Sequence, residues 1–115
     1  MIITHHGKQF FKLQTGDRVI ALNPISKESK LKTSGFGADV ALITTRLPDY
    51  NGVETVTYGD RVPFVIDGPG EYEVSGTMFR GFVSKGTNGK HDVINTIYYF
   101  EFDDMKICFL GALYE

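Results

Sequence analysis

The chain contains no tryptophan, a single cysteine and four prolines among 115 residues. One cysteine cannot close an intrachain disulfide, so the fold must hold together through its core. That cysteine, Cys108, sits in the apolar run Lys106-Ile107-Cys108-Phe109-Leu110 and reads as a buried, inert thiol rather than a nucleophile. No charge dominates: the net charge is −2, which gives no general pull toward nucleic acid, for which a clustered basic surface is expected. No apolar run approaches the roughly 20 residues of a membrane-spanning helix. The start, Met1 to Gly7, lacks a basic segment followed by a long apolar one, so no signal peptide is read there. Together these absences point to a cytoplasmic protein with neither nucleic acid nor membrane as a partner. No internal repeat, low-complexity tract or linker divides the chain, and residues 1–115 are read as one domain.

A sustained helical period is missing too. What is present is a succession of short β-like runs. Met1 to His5 is the first and Gly7 breaks it. Phe10 to Gln14 and Arg18 to Leu22 form a hairpin around Thr15-Gly16-Asp17, and Asn23-Pro24 ends it. Residues 25 to 37 are polar and read as loop with one helical turn. Asp39 to Thr44 is a buried strand. Val53 to Tyr58 reads as a short strand, followed by strands over Arg61 to Ile66, Glu71 to Val74, Thr77 to Ser84, Val93 to Phe102 and Met105 to Leu110. Asp67-Gly68-Pro69-Gly70 and Ser75-Gly76 are turns, and Lys85 to Asp92 is a loop. The fold class is therefore mostly β, built of short, mainly antiparallel strands. Thr96, Tyr98, Phe100 and Phe102 share one face of their strand. Val40 to Ile43, Val62 to Ile66 and Met105 to Leu110 are apolar on both faces. Such strands need cover on both sides. Either two sheets pack within the chain or something outside it covers a face.

The buried strand ending at Thr44 delivers the loop Arg46 to Gly52, which carries Asp49. A strand that hands an aspartate to a loop is a common place for a catalytic site. Aspartate after proline is also ordinary turn chemistry, and that is the reading preferred for Asp49. His5 and His6 are neighbours on a strand, so they point to opposite faces and do not readily share one ion. His91 stands by itself in a loop. Ser75 and Ser84 lack the context of a serine nucleophile. Gly35 and Gly37 lack the lysine and following helix of a phosphate loop. Lys27, Lys30 and Lys32, offset by Glu28, read as a solvated loop, and Glu71 and Glu73 as the solvent side of an edge strand.

Several segments nevertheless occur in a familiar order: Gly7-Lys8-Gln9-Phe10-Phe11, Ala21-Leu22-Asn23-Pro24, Ala38 to Thr44, Gly68-Pro69-Gly70-Glu71-Tyr72-Glu73-Val74, Asn95-Thr96-Ile97 and Leu110-Gly111-Ala112-Leu113. This order resembles the metallo-β-lactamase-fold hydrolases, in particular a small bacterial branch with a Gly-Pro-Gly-Glu-Tyr-Glu segment. The resemblance implies a four-layer αββα sandwich of two similar halves, of which 115 residues supply little more than the first. It also implies a His-x-His-x-Asp-His motif after the buried strand, holding a dinuclear zinc-type centre whose hydroxide attacks an ester, amide or phosphodiester. Laid on this sequence, the motif's histidine positions are Thr45, Leu47 and Tyr50, and only Asp49 matches. A later histidine falls near Lys85-Gly86, a later aspartate on Ala112, and a histidine after the opening glycine on Lys8.

A zinc-type site needs three or four good ligands. The expectation is thus a protein of this fold with no catalytic residues, no metal ligands and no cofactor, acting in binding or assembly. Its sandwich would be completed by a second copy or by a missing C-terminal half. Two alternatives stand beside it. One is an active metal-dependent hydrolase with a displaced dinuclear site using Asp49, His5, His6 or His91. The other is a plain β-sandwich interaction module.

Overall fold

The computed structural model describes residues 1–31, 33–87 and 89–113, so Lys32 of the basic stretch, Tyr114 and Glu115 lie outside the described residues. Among the described residues, nine strands make two sheets. The first sheet holds β1 (Ile2–His5), β2 (Phe11–Thr15), β3 (Arg18–Leu22), β4 (Val40–Leu42) and β5 (Phe64–Ile66) in that order. The second holds β6 (Gly70–Val74), β7 (Thr77–Thr87), β8 (Asp92–Phe102) and β9 (Met105–Phe109), also in order. All pairings are antiparallel except β3 with β4 and β4 with β5, which are parallel. The mainly β expectation is met.

Alternation decides what each strand buries. On β3, Ile20 and Leu22 point inward; on β4, Val40 and Leu42 do the same. They meet Phe79, Tyr98, Phe100 and Phe102 from the second sheet in one core. A buried phenylalanine contributes on the order of 1.5–3 kcal/mol, so Phe79 and Phe100, whose rings lie 5.0 Å apart and are tilted by 45°, are central to this layer. Tyr98 is also fully buried, and its hydroxyl lies 2.8 Å from the carbonyl of Ile43 and 3.1 Å from that of Ile66. It rivets the middle of the second sheet to the ends of β4 and β5. Burial pushes this phenol's pKa well up, so it remains a neutral donor.

The outward residues of β3 and β4, Val19, Ala21 and Ala41, join a second core with Phe10, Ile25, Ala38 and Val56. Here the chain covers the first sheet with its own connections, not with a helix. The stretch expected as a strand at Val53 to Tyr58 is part of this cover. It forms a turn of 3₁₀ helix over Val53–Val56, and Tyr58 makes only an isolated bridge to Arg61. Tertiary contacts override its β-branched composition: Thr55 donates its hydroxyl to Ile25 O at 2.6 Å, and Thr57 donates back to Val53 O at 3.0 Å. Residues 25–31 turn without forming the expected helical turn.

A further correction concerns the β7–β8 hairpin. It continues to Thr87 and Asp92, where a loop from Lys85 was expected. Lys85 and Asp92 pair at 3.1 Å across it, and Thr87 accepts the Gly89 N–H to close the end. Cys108 is exposed and not buried, because β9 turns Ile107 and Phe109 to the core and so must turn Cys108 outward.

Candidate functional site

Past Phe109 the chain leaves the edge of the second sheet and crosses its outer face, until Leu113 bridges Gly86 on β7. The space that it vacates beside β8 is entered by Thr44 and Thr45, which follow β4. Thr44 O accepts the Thr96 N–H at 2.9 Å, so a loop of the first sheet is tied into the second. Gly111 makes the approach feasible: its φ is +64°, and a Cβ there would lie 2.4 Å from Thr44 Oγ1.

The centre of this corner is Asn95, which is fully buried. Its Oδ1 accepts the Thr45 hydroxyl at 3.1 Å and the Ala112 N–H at 3.0 Å. Its Nδ2 donates to Ser84 Oγ and to Leu110 O, both at 2.9 Å. An amide side chain offers two donors and two acceptor lone pairs, and Asn95 uses all four. A second amide supports the corner from below: Asn23 Oδ1 accepts the Thr44 N–H at 2.8 Å, and Asn23 Nδ2 donates to Thr44 Oγ1 at 2.9 Å. Asn95 received no role from the sequence. The signal for it was an asparagine within the mostly apolar run Val93 to Phe102.

Leu47, Asp49 and Tyr50 lie together elsewhere in the same loop, lining a cleft of about 610 Å³ with Lys8, Ser29 and Thr87. Asp49 accepts from the Lys8 ammonium at 2.7 Å and from the Ser29 hydroxyl at 2.5 Å. Lys8 and Ser29 hold the Asp49 carboxyl below the usual carboxylate range, and Asp49 in turn raises the Lys8 ammonium. The Lys8 Nζ also stands 5.7 Å from the centre of the Tyr50 ring. Lys8 and Asp49 thus meet as an ion pair. Thr45 and Ala112 meet separately, through Asn95. Gly86 joins the second group, since a Cβ there would lie 2.9 Å from Ala112 O.

The histidines sit elsewhere. His5 bonds through Nε2 to Lys8 O at 2.7 Å, and its ring lies tilted against that of Phe11 at 4.8 Å. His6 lies between the rings of Phe10 and Phe36, with Nε2 buried and unpartnered. Burial, with help from Lys12 and His5, lowers its pKa below 6.5. His91 offers its carbonyl to Thr87 in the β7–β8 hairpin. Among the described residues, no three His, Cys, Asp or Glu side chains gather so as to hold a metal ion. Glu71 faces Arg80 at 3.8 Å across β6 and β7, on the solvent side of this edge.

Two sheets joined by a loop that carries Asp49 after β4, with Gly111-Ala112 returning beside it, describe one class of protein. Residues 2–115 match the family described as the beta-lactamase superfamily domain, and the chain belongs to that family. Among solved structures it is similar to a candidate Zn-dependent hydrolase of the metallo-β-lactamase superfamily from Thermotoga maritima, with 26% identity and a TM-score of 0.68. The match covers 95% of this chain and 48% of that one, so this chain spans about half the length of the relative. No curated protein matches. Family membership removes the reading of an unrelated sandwich with an accidental likeness. Among the described residues, no helix is long and apolar enough to cross a membrane.

Proposed function

We propose that this chain is a metallo-β-lactamase-fold domain without the metal chemistry of its superfamily, serving in binding or assembly in the cytoplasm. The observation that carries this reading is the bonding at Asn95. The side chains at two former ligand positions, Thr45 and Ala112, are a hydroxyl and a methyl, and both residues are tied to one amide oxygen. Hydroxyl, methyl and isobutyl groups do not supply the imidazole and carboxylate donors that a zinc-type ion takes. The remaining carboxylate, Asp49, already has a cation in Lys8 and a donor in Ser29. The residues present therefore do not fit a dinuclear centre, and no hydrolytic step is assigned to them.

The same contacts weigh against a displaced site. Asp49 is engaged by Lys8, His5 is engaged by a backbone carbonyl, and His6 is enclosed by Phe10 and Phe36. The test is metal analysis of the purified protein after growth with zinc, iron and manganese, repeated on Asp49→Asn. The expected result is far below one equivalent of metal in both. One equivalent or more in the wild type, lost in Asp49→Asn, would overturn the reading.

A further inference from the structure

Of the two Asn-Gly pairs in the chain, 51–52 and 88–89, the second begins outside the described residues. The first ends the loop that carries Asp49, at the point where residues 24–26 cross it. Two hydrogen bonds fasten the crossing. Gly52 donates its N–H to Pro24 O at 2.7 Å, and Ser26 donates its N–H to Pro48 O at 2.8 Å. Gly52 is buried, and a Cβ on it would collide with Ile25 C, Ile25 O and Ser26 N. Only a residue without a side chain lets two backbones pass this close. The next residues hold the pair as well: Val53 donates its N–H to Asn51 O and Thr55 donates its N–H to Gly52 O, both at 3.0 Å.

An asparagine before glycine carries a reaction of its own. A solvent base removes the glycine N–H proton, the nitrogen attacks the asparagine Cγ, and the Cγ–Nδ2 bond breaks. Nδ2 leaves as ammonia, taking its third proton from water, and a five-membered imide remains. Water then opens the imide at either carbonyl. One opening gives aspartate. The other gives isoaspartate, in which the main chain runs through Cβ and Cγ and is one carbon longer. Glycine favours the ring closure because no Cβ shields its nitrogen. The glycine that the crossing requires is therefore also the one that makes Asn51 reactive.

We propose that Asn51 is a deamidation site gated by this crossing, closed to reaction while residues 24–26 hold the loop and reactive once they release it. In the closed form the proton to be removed is the one that Pro24 O accepts. That main-chain hydrogen bond must break before the nitrogen is free. The nitrogen must also swing towards the Asn51 side chain, and Gly52 cannot follow while the Ile25–Ser26 peptide lies against its Cα. Reaction therefore passes through the open form, and its rate tracks the population of that form. The isoaspartate product cannot close again, because the added carbon displaces Gly52 N from Pro24 O at a crossing with no slack. A free carboxylate also replaces the Asn51 carbonyl that Val53 bonds. Opening thus becomes permanent, and Asp49, in the same loop, loses its fixed position against Ser29. Any further cover on the loop strengthens the gate, and the gate holds with or without a bound metal.

The test incubates the wild-type protein in mildly alkaline buffer, folded and in guanidinium chloride, and follows Asn51 by peptide mapping and mass spectrometry. The expected rate at Asn51 is at least about tenfold lower in the folded protein. Hydrogen exchange at the Gly52 amide removes the same proton and is expected to be slowed by a comparable factor. Thr55→Val withdraws the hydroxyl that bonds Ile25 O at 2.6 Å, so it should raise the folded rate several-fold and leave the rate in guanidinium chloride unchanged. The purified isoaspartyl form is expected to have lost protection at the Gly52 amide, whereas Asn51→Asp, with an unaltered main chain, keeps it. Equal rates at Asn51 in the folded and unfolded protein overturn the proposal, as does a Gly52 amide that exchanges freely in the folded wild type. A folded Thr55→Val variant with the wild-type rate removes the crossing as the gate. An isoaspartyl form whose Gly52 amide stays protected overturns the one-way opening.

Discussion

Asn95→Ala tests the corner on which the functional reading depends. The substitution withdraws four hydrogen bonds. Thr45 and Ser84 can turn their hydroxyls elsewhere, and Ser84 keeps its bond to the Asn95 carbonyl. The Ala112 N–H and the Leu110 carbonyl cannot turn, and each is left without its protein partner. An unsatisfied buried group costs about 1–3 kcal/mol. Leu110 is half exposed, which allows water some access and favours the lower part of that range. The expected loss is roughly 2–4 kcal/mol, against a total of about 5–15 kcal/mol for a domain. At roughly 4 °C per kcal/mol, Tm falls by about 8–16 °C. Urea unfolding followed by circular dichroism reads this as a lower midpoint at unchanged slope. Asn95→Asp adds a pH signature. One carboxyl oxygen can still accept from Thr45 and Ala112, but the other meets the Leu110 carbonyl. Burial and that carbonyl push the folded pKa above the unfolded value of about 3.9. Between the two values the folded state binds more protons, so stability falls as pH rises. The variant should approach wild type near pH 4 and be weakest at pH 7. A loss below about 0.5 kcal/mol for Asn95→Ala, the range of ordinary surface changes, would refute the picture of a closed, desolvated corner.

Two further outcomes follow from local geometry. His6 has its pKa lowered, chiefly by burial, so the folded state favours the neutral ring. That contribution is complete above 6.5 and is lost as pH falls through the folded value; His6→Gln should flatten this limb of a Tm-versus-pH series, and an unchanged limb would contradict it. Gly111→Ala should cost about 2–5 kcal/mol, from a left-handed backbone and the clash with Thr44. Gly16→Ala serves as control, because Gly16 has φ +58° but nothing within 4 Å of its Cβ. Its loss should be about 1–2 kcal/mol, and equal losses for the two would remove the clash from the account.

Strand order in sequence was accessible wherever alternation or a turn signal was strong. Arg18–Leu22, the Ser75-Gly76 turn and the shared face of Tyr98, Phe100 and Phe102 followed from local pattern alone. Val53–Val56 did not, because its β-branched residues are recruited by Ile25 and Val53 carbonyls that sequence cannot place. Cys108 was misread for a related reason. An apolar run says that a strand is wanted in a core, but only pairing register says which of its faces gets there.

The candidate site divides along the same line. The sequence by itself determined that Thr45, Leu47 and Tyr50 offer a hydroxyl, an isobutyl group and a phenol, since side-chain chemistry is written residue by residue. It also determined that Asp49 follows a buried strand. Only the tertiary structure decided what these residues touch. Asn95 joins Thr45 to Ala112 from 50 and 17 positions away, and Lys8 reaches Asp49 across 41. Partners that distant in the chain are chosen by how two sheets stack and where loops cross, and neither is encoded in any local window.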